Sequence, residues 1–120
     1  MKLNQLLKTV VSALEDVKAH DIKVLDVTNI TTLFDRMVIA SAVSTRQAKA
    51  LANNVHEKVK AAGGVVYGTE GEQSGEWMLL DLGDILVHVM LPATRAHYDL
   101  EELWTELETT VAEKVTIDQS

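Results

Sequence analysis

The sequence predicts an α+β domain, a mixed sheet of about five strands packed with helices in the order α-β-β-α-β-β-β-α. Three observations carry this. Leucines and valines recur at helical spacing over the first seventeen residues, β-branched runs bounded by polar residues recur between positions 21 and 91, and a capped helical stripe separates the second run from the third. The chain has 120 residues, 47% of them apolar, which is the size of one domain with one core. That domain is expected over residues 1–115, with a frayed tail at 116–120.

Each element has its own signal. Leu3, Leu6, Leu7, Val10, Val11, Leu14 and Val17 place one apolar face on a first helix of about four turns. Two strands follow, Asp21 to Val27 with Ile22, Val24 and Val27 among charged residues, and Met37 to Ala40, joined through Thr28–Asp35. Ser44 and Gln47 make a capping box, because the hydroxyl accepts the Gln47 N–H while the glutamine reaches back. The helix that starts there buries Ala48, Leu51, Ala52, Val55, Val59 and Ala62 and ends at Gly63-Gly64. Val65-Val66-Tyr67 reads as the third strand, so that strands two and three form a parallel, right-handed crossover unit around the helix. Gly68 to Gly75 reads as a mobile loop.

The clearest local signal comes next. Trp77–Leu82 and Ile85–Leu91 flank Gly83-Asp84, a pair suited to a two-residue hairpin turn of type I′ or II′. Alternation then puts Met78, Leu80, Leu82, Ile85, Val87, Val89 and Leu91 on one wholly apolar face, which must be core. The other face carries Trp77, Leu79, Asp81, Leu86, His88 and Met90. That mixture fits a half-covered or binding surface; it also fits a strand pair sandwiched between helices on both sides. Pro92 stops the ladder, and Asp99 with Glu102 caps a last helix from Leu100 to Lys114 that buries Leu100, Leu103, Trp104, Leu107 and Val111.

Charge divides unevenly along the chain. Residues 1–69 hold nine Lys/Arg and six Asp/Glu, whereas residues 70–120 hold only Arg95 and Lys114 against twelve Asp/Glu, for a total of −7. An acidic second half repels phosphate backbones and favours a basic partner surface, so no specific nucleic acid is expected to bind there. The absence of cysteine excludes disulfides, thiolate zinc sites, iron–sulfur clusters and cysteine nucleophiles. Asn4, Gln5 and Lys8 break the apolar residues of the first helix, which is no signal-peptide core, and no apolar run approaches the ~18 residues of a membrane span. A cytoplasmic protein without a membrane partner is expected.

The residues offer little to a catalyst. None of the four histidines has a second at three- or four-residue spacing, so no metal ligand pair forms on one helical face. No nucleophile elbow or phosphate loop is present, and Gly63-Gly64 follows a helix instead of preceding one. Metal-assisted nucleotidyl transfer would need carboxylates converging on ions roughly 4 Å apart, but Asp81 and Asp84 are three residues apart and the second sits in a turn. No catalytic residue, metal or cofactor is expected. In contrast, Tyr98-Asp99-Leu100-Glu101-Glu102-Leu103-Trp104 joins two aromatics, leucines and three acids, which suits an anchor for a basic protein surface. Leu103 and Trp104 also read as core anchors of the last helix.

Four motifs, in order, resemble one family. They are Phe34-Asp35-Arg36-Met37-Val38-Ile39-Ala40-Ser41, Ser44-Thr45-Arg46-Gln47, the run from Glu76 through Trp77, Asp81 and His88 to Met90, and Tyr98 to Trp104. Together they resemble the ribosomal silencing factor family, also called Iojap-related, over about Leu3 to Leu107. The resemblance implies a trimmed nucleotidyltransferase fold without its catalytic elements. It also implies a non-enzymatic factor that binds the large ribosomal subunit at ribosomal protein fourteen, blocks joining of the small subunit and represses translation in starvation. Partner-binding residues would then be Trp77, Asp81 and His88 of the hairpin with Tyr98, Asp99, Leu100, Glu101 and Trp104 of the last segment. A homodimer is compatible with this. Two alternatives are a divergent metal-dependent nucleotidyltransferase and an RNA-binding ribosome-assembly factor using the basic first half, Lys2, Lys8, Lys18, Lys23, Arg46 and Lys49.

Overall fold

The computed structural model describes residues 1–71 and 73–104. The expected tail, and the expected last helix beyond Trp104, lie outside them. The elements are α1 (Leu3–Asp16), β1 (His20–Asp26), β2 (Arg36–Ser41), α2 (Thr45–Ala61), β3 (Gly68–Glu70), β4 (Trp77–Asp81), β5 (Ile85–Met90) and α3 (Pro92–Tyr98). The five strands form one mixed sheet in the order β1-β2-β5-β4-β3, in which only β2 and β5 pair in parallel.

Helices α1 and α2 cover one face of that sheet. Leu6, Val10, Ala13 and Leu14 of α1 and Ala48, Leu51, Ala52, Val55 and Val59 of α2 pack with Val38, Ala40, Met78, Leu80, Val87 and Val89. The expected stripes are largely the real ones, but Val11 of α1 is only half-buried while Ala13 joins the core, and Ala62 is exposed because α2 has already ended. Both helices finish in a Schellman arrangement. Lys18, at φ 61°, ends α1 with Ala19 N–H to the Leu14 carbonyl, and Gly63, at φ 91°, ends α2 with Gly64 N–H to the Val59 carbonyl. The cap of α2 also ties the pair together. Ser44 Oγ accepts Gln47 N–H at 3.1 Å, while the Gln47 amide takes the Val43 N–H at 2.7 Å and donates to the Val17 and Lys18 carbonyls at the end of α1.

Strand β2 is buried from Met37 to Ser41, as a strand covered on both faces must be. The hairpin keeps its expected turn: Leu82 N–H bonds the Ile85 carbonyl at 2.9 Å, and Gly83 alone has positive φ, the first-position pattern of a type II′ turn. Strand three differs from expectation. Val65-Val66-Tyr67 stay outside the sheet, with Val65 and Tyr67 exposed, and β3 is Gly68–Glu70, inside the stretch expected to be a loop. Register explains this. Gly68 pairs Asp81 and Glu70 pairs Leu79, so the ladder positions facing Val65 and Val66 would fall in the Gly83-Asp84 turn, where no strand remains. Strands β2 and β3 do run in the same direction, but β5 and β4 lie between them.

Helix α3 was not legible in the pattern. Pro92 both ends the ladder and occupies the first turn of α3, where its missing N–H costs nothing. Asp99 is left-handed, at φ 44° and ψ 53°, and closes α3 by donating to the Arg95 carbonyl. Residues 100–104 then resume as helix. Asp99 therefore acts as the C-cap of one helix as well as preceding the next.

Candidate functional site

Among the described residues, the second face of the sheet is covered over only half its width. Its buried part is Val27, Met37, Ile39 and Met90, packed beneath Leu25, Phe34, Trp77, Leu100 and Trp104. Beyond it, on the side of β4 and β3, Leu79 and Leu86 are half-exposed and Asp81 is exposed. The face is thus half-covered among the described residues, and the expected sandwich applies only to its covered part.

A polar clamp holds the cover in place. The Arg95 guanidinium donates to Ser41 Oγ of β2 at 2.8 Å and pairs with Glu101, whose other oxygen lies 3.2 Å from Lys23 Nζ of β1. These cations, Arg95 foremost, hold the Glu101 carboxyl below the usual glutamate range against the opposing effect of its burial. Glu101 is thus engaged within the chain. Sequence reasoning misses this clamp. It counts Lys23 only among the basic residues of the RNA-binding alternative and gives Arg95 and Ser41 no role, although Arg95 is the sole cation between positions 61 and 113 and Ser41 the polar end of an apolar strand.

At the boundary between covered and open halves lies an aromatic cluster. The Trp77 and Tyr98 rings are 4.7 Å apart at 49°, and His97 stands edge-on to Tyr98 at 4.9 Å. Tyr98 is 53% exposed. The cluster borders a 540 Å³ cavity lined also by Ser74, Glu76, Leu91 and Thr94. Trp104 lies elsewhere on the cover, edge-on to Phe34 at 5.8 Å, and Leu100 packs beside it. Leu103, expected in the core, is exposed because the buried side of its helical turn is taken by Leu100 and Trp104.

Beneath Trp77, His88 is only 6% exposed. Trp77 Nε1–H donates to His88 Nδ1 at 3.0 Å, which leaves the proton of the neutral ring on Nε2. Nε2 has no partner among the described residues. Burial lowers the His88 pKa from its usual value to about 4. Between about pH 6.5 and 4 the unfolded chain therefore binds a proton that the folded chain refuses, so stability is full above that window and falls as pH drops through it, by about 3 kcal/mol in total. Urea titrations across the window should show this slope. His88→Leu should flatten it while costing about 1 kcal/mol at neutral pH, since Trp77 loses its acceptor; an unchanged slope would assign the effect to other groups.

The Asp81 carboxylate accepts the Gly83 N–H at 2.9 Å and so serves the turn. Among the described residues no three His, Asp or Glu side chains gather to hold a metal ion. No helix among them is long and apolar enough to cross a membrane. The arrangement offers a partly apolar, acid-flanked surface suited to docking.

The whole chain, residues 1–120, matches the family described as "Ribosomal silencing factor during starvation". It is 52% identical over 104 residues to the Chromobacterium violaceum protein named ribosomal silencing factor RsfS, covering 87% of this chain and 85% of that one. A crystal structure of a Chromobacterium violaceum protein superposes with a TM-score of 0.86 at 51% identity, covering 88% of each chain. A mouse protein named for mitochondrial assembly of the ribosomal large subunit is 35% identical over 98 residues, spanning 79% of this chain and 43% of its own length.

Proposed function

Because the chain belongs to the ribosomal silencing factor family, we propose that it docks on ribosomal protein fourteen of the large subunit and blocks joining of the small subunit by its bulk. The family is named for silencing the ribosome, a regulatory role in translation. The observation that carries the docking reading is the Trp77–Tyr98–His97 cluster at the edge of the half-covered face. Exposed aromatics on a rigid frame supply contact energy at low entropic cost, and the acids nearby select a basic partner. Trp77, Tyr98, Asp99 and Asp81 would meet the partner, His88 would hold Trp77 from below, and Leu100, Glu101 and Trp104 would seat the segment. The mouse relative's name supports the choice of the large subunit.

Blocking then requires no catalysis. The domain's least dimension is 21 Å, far more than a tight subunit interface leaves free. Sedimented with purified subunits, the protein should pellet with large and not with small ones. Stoichiometric amounts should lower the yield of joined particles without added nucleotide. Pelleting with small subunits alone, or inhibition only with nucleotide turnover, would defeat the reading.

A further inference from the structure

We propose that the flank of α2 facing β3 is a phosphate-binding surface for the RNA of the large subunit, an inference that rests on the ribosomal reading above. Arg46, Lys49, Asn53, His56 and Lys60 follow one another at alternating steps of three and four, which lines them up along one side of α2 over about 21 Å. The buried stripe of the helix, Ala48 to Val59, lies on a different side. Arg46, Lys49, Asn53 and Lys60 are exposed, and His56 is half-buried.

Among the described residues these cations form no ion pair. The described ion pairs use Lys23, Arg36 and Arg95, all on the strands or on α3, and none uses a cation of α2. Glu57 is the sole acid in that helix. Midway along the row, Lys49, Asn53 and His56 border a 390 Å³ cavity with Thr69 of β3 as its far wall. Ammonium, amide, imidazole and hydroxyl groups are the donors that nucleic-acid phosphate oxygens accept from. A lipid surface fits less well, because the apolar side of α2 is spent in the core and none remains to insert.

The remainder of the molecule explains why this contact would act in second place. A net charge of −7 opposes free RNA at long range. Once the aromatic side has docked, the row needs only short-range pairing, and counterion release from each phosphate adds to affinity.

The test is the salt dependence of binding to purified large subunits for the wild type and for the combined Arg46→Gln, Lys49→Gln and Lys60→Gln variant. Glutamine keeps helix propensity at exposed positions, and circular dichroism checks the fold. The slope of log affinity against log salt should become shallower by about 3, one unit per lost phosphate contact. In parallel, a photoreactive side chain installed at position 49 should crosslink to RNA on the subunit. An unchanged slope, or an adduct on a ribosomal protein, overturns the proposal while leaving the docking reading intact. Failure of the wild type to bind large subunits at all would remove both.

Discussion

Tyr98→Ala is expected to weaken binding to large subunits by about 2 kcal/mol or more, roughly thirtyfold, while the domain stays folded. The ring is 53% exposed and touches Trp77 and His97, none of which belongs to the main core between the sheet and α1/α2. Its removal should therefore cost little stability. Trp77→Ala is a poorer probe, because Trp77 also packs on the second-face cluster and donates to His88, so binding and folding would change together. Equilibrium sedimentation of Tyr98→Ala, paired with its melting curve, separates the two. Wild-type affinity in a folded Tyr98→Ala protein would take the aromatic cluster out of the interface.

Arg95→Met should lower stability by about 3 kcal/mol and the melting temperature by about 10 °C. Methionine keeps much of the side chain's apolar bulk and removes only the guanidinium. Ser41 Oγ then loses its donor inside the fold, and Glu101 keeps Lys23, which is largely exposed, in place of its better-shielded partner. Leaving such groups without their charged partner is what makes a broken pair costly. The segment that carries Tyr98 and Leu100 should loosen with it, so binding should fall as well. A melting temperature within about 1 °C of wild type would mean that apolar packing alone holds the cover.

Most local structure was legible because it depends on neighbours in sequence. The helical stripes of α1 and α2, the Ser44–Gln47 cap, the Gly63 terminus and the Gly83-Asp84 hairpin all follow from spacing and backbone chemistry within a few residues. Strand three escaped because its register is dictated by β4, not by its own composition. The apolar Val65-Val66-Tyr67 lost to the unremarkable Gly68-Thr69-Glu70, since only the latter faces a strand. Helix α3 escaped because residues 92–98 carry no apolar period.

Of the candidate site, the aromatic and acidic residues were visible as types, and their division of labour was not. Trp77 and Tyr98 meet although 21 positions separate them, while Glu101, one turn beyond Tyr98, turns inward to Arg95 and Lys23. A sequence shows which acid is present but not which cation has already claimed it. Family membership, two amphipathic helices and a hairpin with one wholly apolar face were determined by the sequence alone, because each is written in residues close along the chain. Which half of the second face the described residues cover, and which of its charges they pair with one another, only the tertiary structure decided. Those properties depend on distances between residues that the chain itself keeps far apart.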